Sequence, residues 1–409
     1  MPPLQEINHE IPFLNLNLKI NHRAPKCPEP LRKELKEKVD HYLKVGVWAR
    51  MSLPSHTLMM VVFKKSGAIH TVIDGCLQNN NTIADVTPMP DQETIRHDLA
   101  RAQFHSKINL SDAYKQIHIN TEHEPHTVFA MIYSNMISHV MQMGDKNCPA
   151  TFQRLMNTLF VDMIAVFIHC YQDNIFIFSD MLEEHLEHLE LIFQRLCKLK
   201  LYLSDNLVKL DILSIRMECL GFFINDQGIH MDPMKMEKIC DWRTPHSYLD
   251  VLRFNRVIQY LAQFLPQAVD YTAPLTGMCS NNRDFIWTDI QEKCFNKIKA
   301  IITKAPFLKP INGRNKVPIW VLMDMSASGV GAWYGQGPTW DTCRPMGFLS
   351  HKFMLAQMNY CTWEQELLGV LEALLQWEDK LMGLKFTIIT DHQALTFFNE
   401  TVMKSQWRM

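Results

Sequence analysis

"CYQDNIFIFSD", residues 170–180, decides how the rest of this chain is read. An apolar run from Met163 to Ile168 leads in, and Ile175 to Phe178 leads out. The pattern predicts two strands of a hairpin with Tyr171, Gln172, Asp173 and Asn174 at its tip. Turn chemistry is one explanation of the tip, because Asp and Asn tolerate the positive φ of a tight hairpin. The other is that a sheet end holds a charged ligand in a fixed place while leaving it open. The surrounding sequence separates the two.

Working outward, "HSKINLSDAYKQIHI" reads as a strand that ends in a short helix or turn and resumes. "LPSHTLMMVVFKKSGAIHTVIDG" reads as two strands joined by a turn at Lys65, Ser66 and Gly67. Asp180 with Glu183 fits a capping box, and Leu182, Leu186, Leu189, Phe193 and Leu196 recur at helical spacing after it. "MECLGFFINDQGIHMDP" predicts a hairpin. From Pro233 to about Lys304 the pattern is helical, broken at Pro245, Pro266 and Pro274. "NKVPIWVLMDMSASGVGAWYGQG" returns to strands; the amphipathic helix "WEQELLGVLEALLQWEDKLM" and the strand "KFTIITD" follow. A break near Pro310 to Gly313 marks a candidate linker between two α/β units.

Length and composition fit this picture. A chain of 409 residues suggests two or three domains, and 47% hydrophobic with 21% charged residues is the balance of a globular protein. No apolar run approaches ~18 residues, and no basic flank precedes an apolar stretch near the N-terminus. The expectation is an intracellular protein, cytoplasmic or nuclear, with no membrane partner. The eleven cysteines include no C-x-x-C pair, which argues against zinc-finger and redox motifs and for scattered thiols. With a net charge of −2 the chain as a whole is no polyanion binder, although residues 1–70 carry eleven Lys or Arg against six Asp or Glu.

Several carboxylates converging on two Mg²⁺ ions are what two-metal polymerases and ribonucleases require. Here the blocks resemble a family. "FKKSGAIHTVIDG", "INLSDAYKQIHI", "MGDKNCPATFQRLMN", "YQDNIFIFSD", "EEHLEHLELIFQRL", "LGFFINDQGIHMDPMKMEKICDW", "VLMDMSASGVGA", "WEQELLGVLEAL" and "TDHQALTFF" follow one another in the order of the reverse transcriptase and ribonuclease H segment of gypsy-class LTR retrotransposons. The resemblance runs from about Tyr42 to the C-terminus. It implies an α+β, multidomain chain: a right-hand polymerase with fingers, palm and thumb, then a truncated ribonuclease H-like α/β domain. The implied organisation is an N-terminal extension over 1–41, fingers and palm over 42–232, thumb and connection over 233–310, and the ribonuclease H-like domain over 311–409.

The resemblance also implies site residues. The palm's three acidic positions fall on Asn109, Asp173 and Asn174, so two of three carboxylates are amides. An amide oxygen brings no formal charge, and the set falls from three negative charges to one. Lys64 and Lys65 stand where a triphosphate is met, Asp112 beside the nucleotide pocket, Tyr114 under the nucleotide sugar, and Met143 where some relatives carry a template-side Gln. His70 and Cys76 replace two arginines of the family. In the C-terminal unit Asp324, Glu366 and Asp391 match catalytic, metal-holding acids. Read without the family, Glu366 is a solvated first-turn acid and Asp391 a helix cap. The family's fourth carboxylate lies further on than Met409.

The cofactor so implied is Mg²⁺ or Mn²⁺, weak or absent at the palm. The implied partners are an RNA or DNA template-primer or RNA–DNA hybrid, with dNTP if the site is active. Three readings stay open: a reverse transcriptase whose polymerase site no longer works, an active polymerase and ribonuclease H with atypical ligands, and a non-catalytic nucleic-acid-binding relic.

Overall fold

The computed structural model describes residues 2, 4–20, 26–63, 69–204, 210–278, 285–312, 316–326, 329–354 and 356–391. The chain forms two compact units: Met1–Ile95 with Ala102–Met217, and Arg96–Arg101 with Glu218–Met409. No helix among the described residues is long and apolar enough to cross a membrane.

In the first unit, a four-stranded sheet carries the hairpin. Its order is Ile168–Tyr171, Asn174–Ser179, Phe104–Asn109, Asp211–Ser214. Ile175, Phe176 and Ile177 are all fully buried, so this strand reads as a continuous apolar run rather than an alternating one. Helices Cys148–Leu159 and Leu182–Lys198 supply Phe152, Met156, Leu189 and Ile192 to a core shared with Ile108, Ile175 and Ile177. Each such burial stabilises by roughly 1.5–3 kcal/mol, against a few tenths for helix propensity, so packing fixes where the helices lie.

Helix Leu182–Lys198 differs from its expected form in two ways. Its N-cap is Met181, which offers no side-chain hydrogen bond, one residue past the expected Asp180. Its inner face carries His185, with Leu189, Ile192 and Leu196, while Leu182 and Leu186 are exposed. The reason is polar. His185 Nε2 meets Ser106 Oγ at 2.8 Å, its Nδ1 meets Ser179 Oγ at 2.9 Å, and Ser179 Oγ also meets His188 Nδ1 at 2.8 Å. These bonds tie the helix to two neighbouring strands and turn its face by one position.

A second sheet of this unit has the order Trp48–Arg50, Asn135–Ser138, Phe129–Ala130, Thr57–Phe63, Ile69–Asp74. Its last two strands are the antiparallel pair expected from sequence. The N-terminal segment is built into the unit. His9 bridges Ile119, Phe13 bridges Thr82, and Ile11 and Ile20 are buried.

The second unit holds the expected hairpin, Phe222–Asn225 with Gly228–Met231. Gly228 has φ +141, and a Cβ there would meet the Leu308 carbonyl oxygen at 2.2 Å, so only glycine fits. Helices Pro233–Cys240, Tyr248–Tyr260, Ala268–Gly277 and Asp289–Thr303 follow. Pro274 lies inside the third of these rather than ending it. A four-stranded sheet then runs Arg344–Lys352, Gly329–Gln336, Ile319–Ser326, Phe386–Ile389, the last pair parallel. Helix Thr362–Gln376 packs on it. The expected linker lies inside this unit: Leu308 pairs Ile229, Lys309 N donates to the Pro345 carbonyl, and Ile311 is buried with the sheet's core. Gly313 lies outside the described residues.

Candidate active site

The hairpin turns on two residues, Gln172 and Asp173, because Tyr171 pairs with Asn174. Gln172 takes the positive φ, 52°. Neither Asp173 nor Asn174 has a positive φ, so the turn's backbone does not explain them. Gln153 secures the tip. Its Nε2 donates to the Cys170 carbonyl at 2.9 Å and its Oε1 accepts from the Gln172 amide at 3.0 Å. Gln153 is fully buried, and sequence reading passed over it; the amide within "PATFQRLMN" was its only mark.

Strand pairing sets Asn109 opposite Asn174. The three expected palm residues therefore meet, although 64 positions separate Asn109 from Asp173. Asn109 Nδ2 donates to Asp173 Oδ2 at 2.9 Å and to Asn174 Oδ1 at 3.4 Å, and Asn174 Nδ2 donates to Asp173 Oδ1 at 3.0 Å. Both carboxylate oxygens are thus engaged by amide N–H groups. Asn109 is buried, and its Oδ1 has no hydrogen-bond partner. One carboxylate already bonded on both oxygens, with one orphan amide oxygen, does not fit a pair of Mg²⁺ ions, which need several anionic oxygens.

The residues around the tip are partly assembled. Tyr114 packs edge-on against Phe152 at 5.8 Å, and burial first, then the neighbouring Cys148 and Asp173, push its phenol up to about 12. Asp112, in the left-handed region at φ 42, pairs with Lys115 Nζ at 2.7 Å and is largely exposed. Met143 is exposed. His70 lies on the Ile69–Asp74 strand opposite Val62. The Cys76 amide donates to Asp74 Oδ1 at 3.2 Å. Lys64 and Lys65 lie outside the described residues.

In the second unit Asp324 lies on the Ile319–Ser326 strand. The parallel register pairs Leu322 with Ile389, so Asp324 and Asp391 each stand two residues past this pair at the same sheet end. Glu366 is buried, at 7% exposure, rather than the solvated acid that its position in the helix suggests. Gly369 permits this: a Cβ there would lie 3.2 Å from Val330, so the helix approaches the sheet closely. Thr390 Oγ1 donates to Glu366 Oε2 at 3.4 Å, which brings the helix acid beside the residue preceding Asp391. Gln267 Nε2 donates to Asp324 Oδ2 at 2.9 Å, and a cavity of about 20 Å³ lies beside Asp324. Asp324 and Asp391 thus stand at one sheet end with Glu366 beside Thr390, but the three do not form a group whose ligand atoms all lie within 4.8 Å of one another; their carboxylates are the donor type a hard divalent cation takes.

A sheet whose hairpin tip meets the end of a neighbouring strand, and a second mixed sheet with acids at one end, define the class: a right-hand polymerase joined to a ribonuclease H-like domain. Residues 57–224 match the family model for reverse transcriptase (RNA-dependent DNA polymerase), and residues 315–409 match the RNase H-like domain found in reverse transcriptase. The Tf2-7 and Tf2-3 transposon polyproteins of Schizosaccharomyces pombe are each 25% identical over 395 residues, covering 96% of this chain. The chain spans 29% of the length of these curated relatives. Among solved structures, the foamy viral protease-reverse transcriptase dRH in complex with double-stranded DNA matches with TM-score 0.84 at 20% identity, covering 97% of this chain and 69% of that one. The foamy viral protease-reverse transcriptase in complex with an RNA/DNA hybrid matches with TM-score 0.75 at 20% identity, covering 95% of this chain and 53% of that one. This chain belongs to the reverse transcriptases, as the reverse transcriptase and RNase H-like segment of a gypsy-class LTR retrotransposon polyprotein.

Proposed function

We propose that this chain is a reverse transcriptase segment that holds nucleic acid but whose palm no longer supports DNA synthesis. The observation that carries this is the hydrogen-bonded set Asn109, Asp173 and Asn174. It presents one formal charge where two-metal chemistry needs several, and its amide N–H groups occupy the carboxylate. Metal-held charge stabilisation contributes several kcal/mol to such reactions, and about 1.4 kcal/mol is tenfold in rate. Loss of most of that charge removes several orders of magnitude.

Template-primer or RNA–DNA hybrid is the proposed partner. The solved relatives are complexes with double-stranded DNA and an RNA/DNA hybrid. Lys64, Lys65, Asp112, Tyr114 and Met143 are proposed to line the path of nucleotide and template. In the second unit, Asp324, Glu366 and Asp391 would hold Mg²⁺ or Mn²⁺, which supplies Lewis-acid charge for hydrolysis of an RNA strand. There Thr390 positions the Glu366 carboxylate, and Gln267 must release Asp324.

Primer extension tests the palm reading. The full chain with Mg²⁺ or Mn²⁺ on a primed RNA template is expected to give no product above background. The double variant Asn109→Asp with Asn174→Asp is expected to give detectable product. Robust synthesis by the unmodified chain would sink the proposal.

A further inference from the structure

Two buried side chains, His9 and Cys148, and one half-buried, Asp145, face one another where the N-terminal segment meets the turn leading into a helix. His9 comes from the N-terminal segment, Asp145 from a tight turn, and Cys148 from the first turn of helix Cys148–Leu159. Their ligand atoms all lie within 4.8 Å of one another, with His9 Nε2 3.7 Å from Asp145 Oδ2 and 3.8 Å from Cys148 Sγ. We propose that these residues form a Zn²⁺ site that fastens the N-terminal segment to the polymerase unit.

Hydrogen bonding alone accounts poorly for the cluster. A separation of 3.7 Å is too long for an N–H···O bond. Asp145 Oδ2 is buried without a hydrogen-bond partner. His9 is fully buried, and its Nδ1 meets Thr151 Oγ1 at 3.0 Å. With that nitrogen donating to Thr151, Nε2 turns a lone pair, not a proton, toward Asp145 and Cys148. A ligating histidine is oriented in this way by a partner on its other nitrogen.

The two separations at His9, 3.7 and 3.8 Å, come within a few tenths of an ångström of what one ion sets. Zinc bonds of about 2.0 Å to nitrogen or oxygen and about 2.3 Å to sulfur, set tetrahedrally, place nitrogen, oxygen and a single sulfur roughly 3.3–3.6 Å apart, so the ligands would draw in slightly on binding. Charge fits as well. A neutral imidazole, a carboxylate and a thiolate cancel the two positive charges of Zn²⁺, so the buried complex is neutral. The Cys148 thiol now donates to the Gln142 carbonyl at 2.9 Å. On binding, the S–H bond is replaced by a sulfur–zinc bond and the proton passes to solvent. A mixed nitrogen, oxygen and sulfur set favours zinc over Mg²⁺, which takes oxygen ligands.

The segment so fastened already runs along the unit: the His9 amide donates to the His118 carbonyl, and the Asn120 amide to that of His9, both at 2.8 Å. A bound ion would add stability in proportion to its affinity, since the unfolded chain does not assemble the three ligands.

The test uses the full chain, stripped with chelator and titrated with Zn²⁺ or Co²⁺ in excess Mg²⁺, which fills carboxylate-only sites. One tight equivalent of Zn²⁺ is expected, and Co²⁺ should give a sulfur-to-cobalt charge-transfer band in the near ultraviolet. Cys148→Ala should remove the band and weaken Zn²⁺ binding at least tenfold. His9→Gln should weaken binding to a similar degree, and near-ultraviolet circular dichroism checks that both variants fold. Replacing the exposed Cys76 by Ala should change neither. Binding and band undiminished in Cys148→Ala, undiminished binding in a folded His9→Gln, or no tight equivalent in wild type would each overturn the site.

Discussion

At Asn109, Asp173 and Asn174 the amide groups do structural work that carboxylates cannot. Each donates an N–H to Asp173, and two directly opposed acids would instead repel across the strand pair. The double variant Asn109→Asp with Asn174→Asp is therefore expected to melt lower than wild type in EDTA, by on the order of 1 kcal/mol or more. Mg²⁺ should recover that loss in the variant and leave the wild-type palm unit unmoved. A variant as stable as wild type in EDTA would show that the three side chains do not share one electrostatic environment. The grouping of these residues was legible only through the family resemblance, which aligns the strand ending at Asn109 with the hairpin tip; the local pattern predicted the hairpin but not what its tip meets. The role of Gln172 was not legible: turn propensity favours Asp or Asn in the left-handed region, and the backbone spent that conformation one residue earlier.

Among the elements, the helix Leu182–Lys198 shows what periodicity reads and what it misses. Its existence was plain from leucine spacing, but the inner face belongs to His185, since a histidine counts as polar in any hydropathy pattern. Glu366 is the same lesson on another helix: a charge is scored as solvated until a glycine lets the helix down onto the sheet. His185 has a pH consequence. Burial first, then the neighbouring His188 and His105, lower its ring to about 4, whereas an unfolded histidine titrates near 6.5. The unfolded chain binds the extra proton between those values. The contribution is therefore complete above pH 6.5 and declines as pH falls toward 4. From pH 7.5 to 5 the loss is roughly 2 kcal/mol. Urea melts of wild type and His185→Gln at those two pH values check this: the variant should show a shallower decline, and equal declines would remove His185 as the cause.

For the whole molecule, family order reached further than any local pattern, because it orders blocks that no periodicity links. What it left out was the internal fastening: of the segment read as a linker, 310–313, Ile311 is packed in the second unit's core, and Leu308 and Lys309 just before it are hydrogen-bonded within that unit. Two compact units also mean that a single melting temperature does not describe the chain. Mn²⁺ or Mg²⁺ is expected to raise the transition of the second unit, by binding only its native form. Asp324→Asn should abolish that rise. Gln267→Ala should enlarge it, since no amide then competes for the Asp324 carboxylate. Calorimetry with and without metal decides the point, and an identical second transition in wild type and Asp324→Asn would show that the acids gather without holding an ion.

The amide-locked palm also bears on heredity. Changing Asn109 alone to Asp removes both bonds that its amide donates, and changing Asn174 alone removes one; either sets a second carboxylate against Asp173 yet gives two acids rather than three. Each single reversion thus loses stability before any catalysis can be selected. On the proposed reading of the palm, the two amides therefore act as a ratchet: both must change together before a three-acid set returns, and each single step costs stability first.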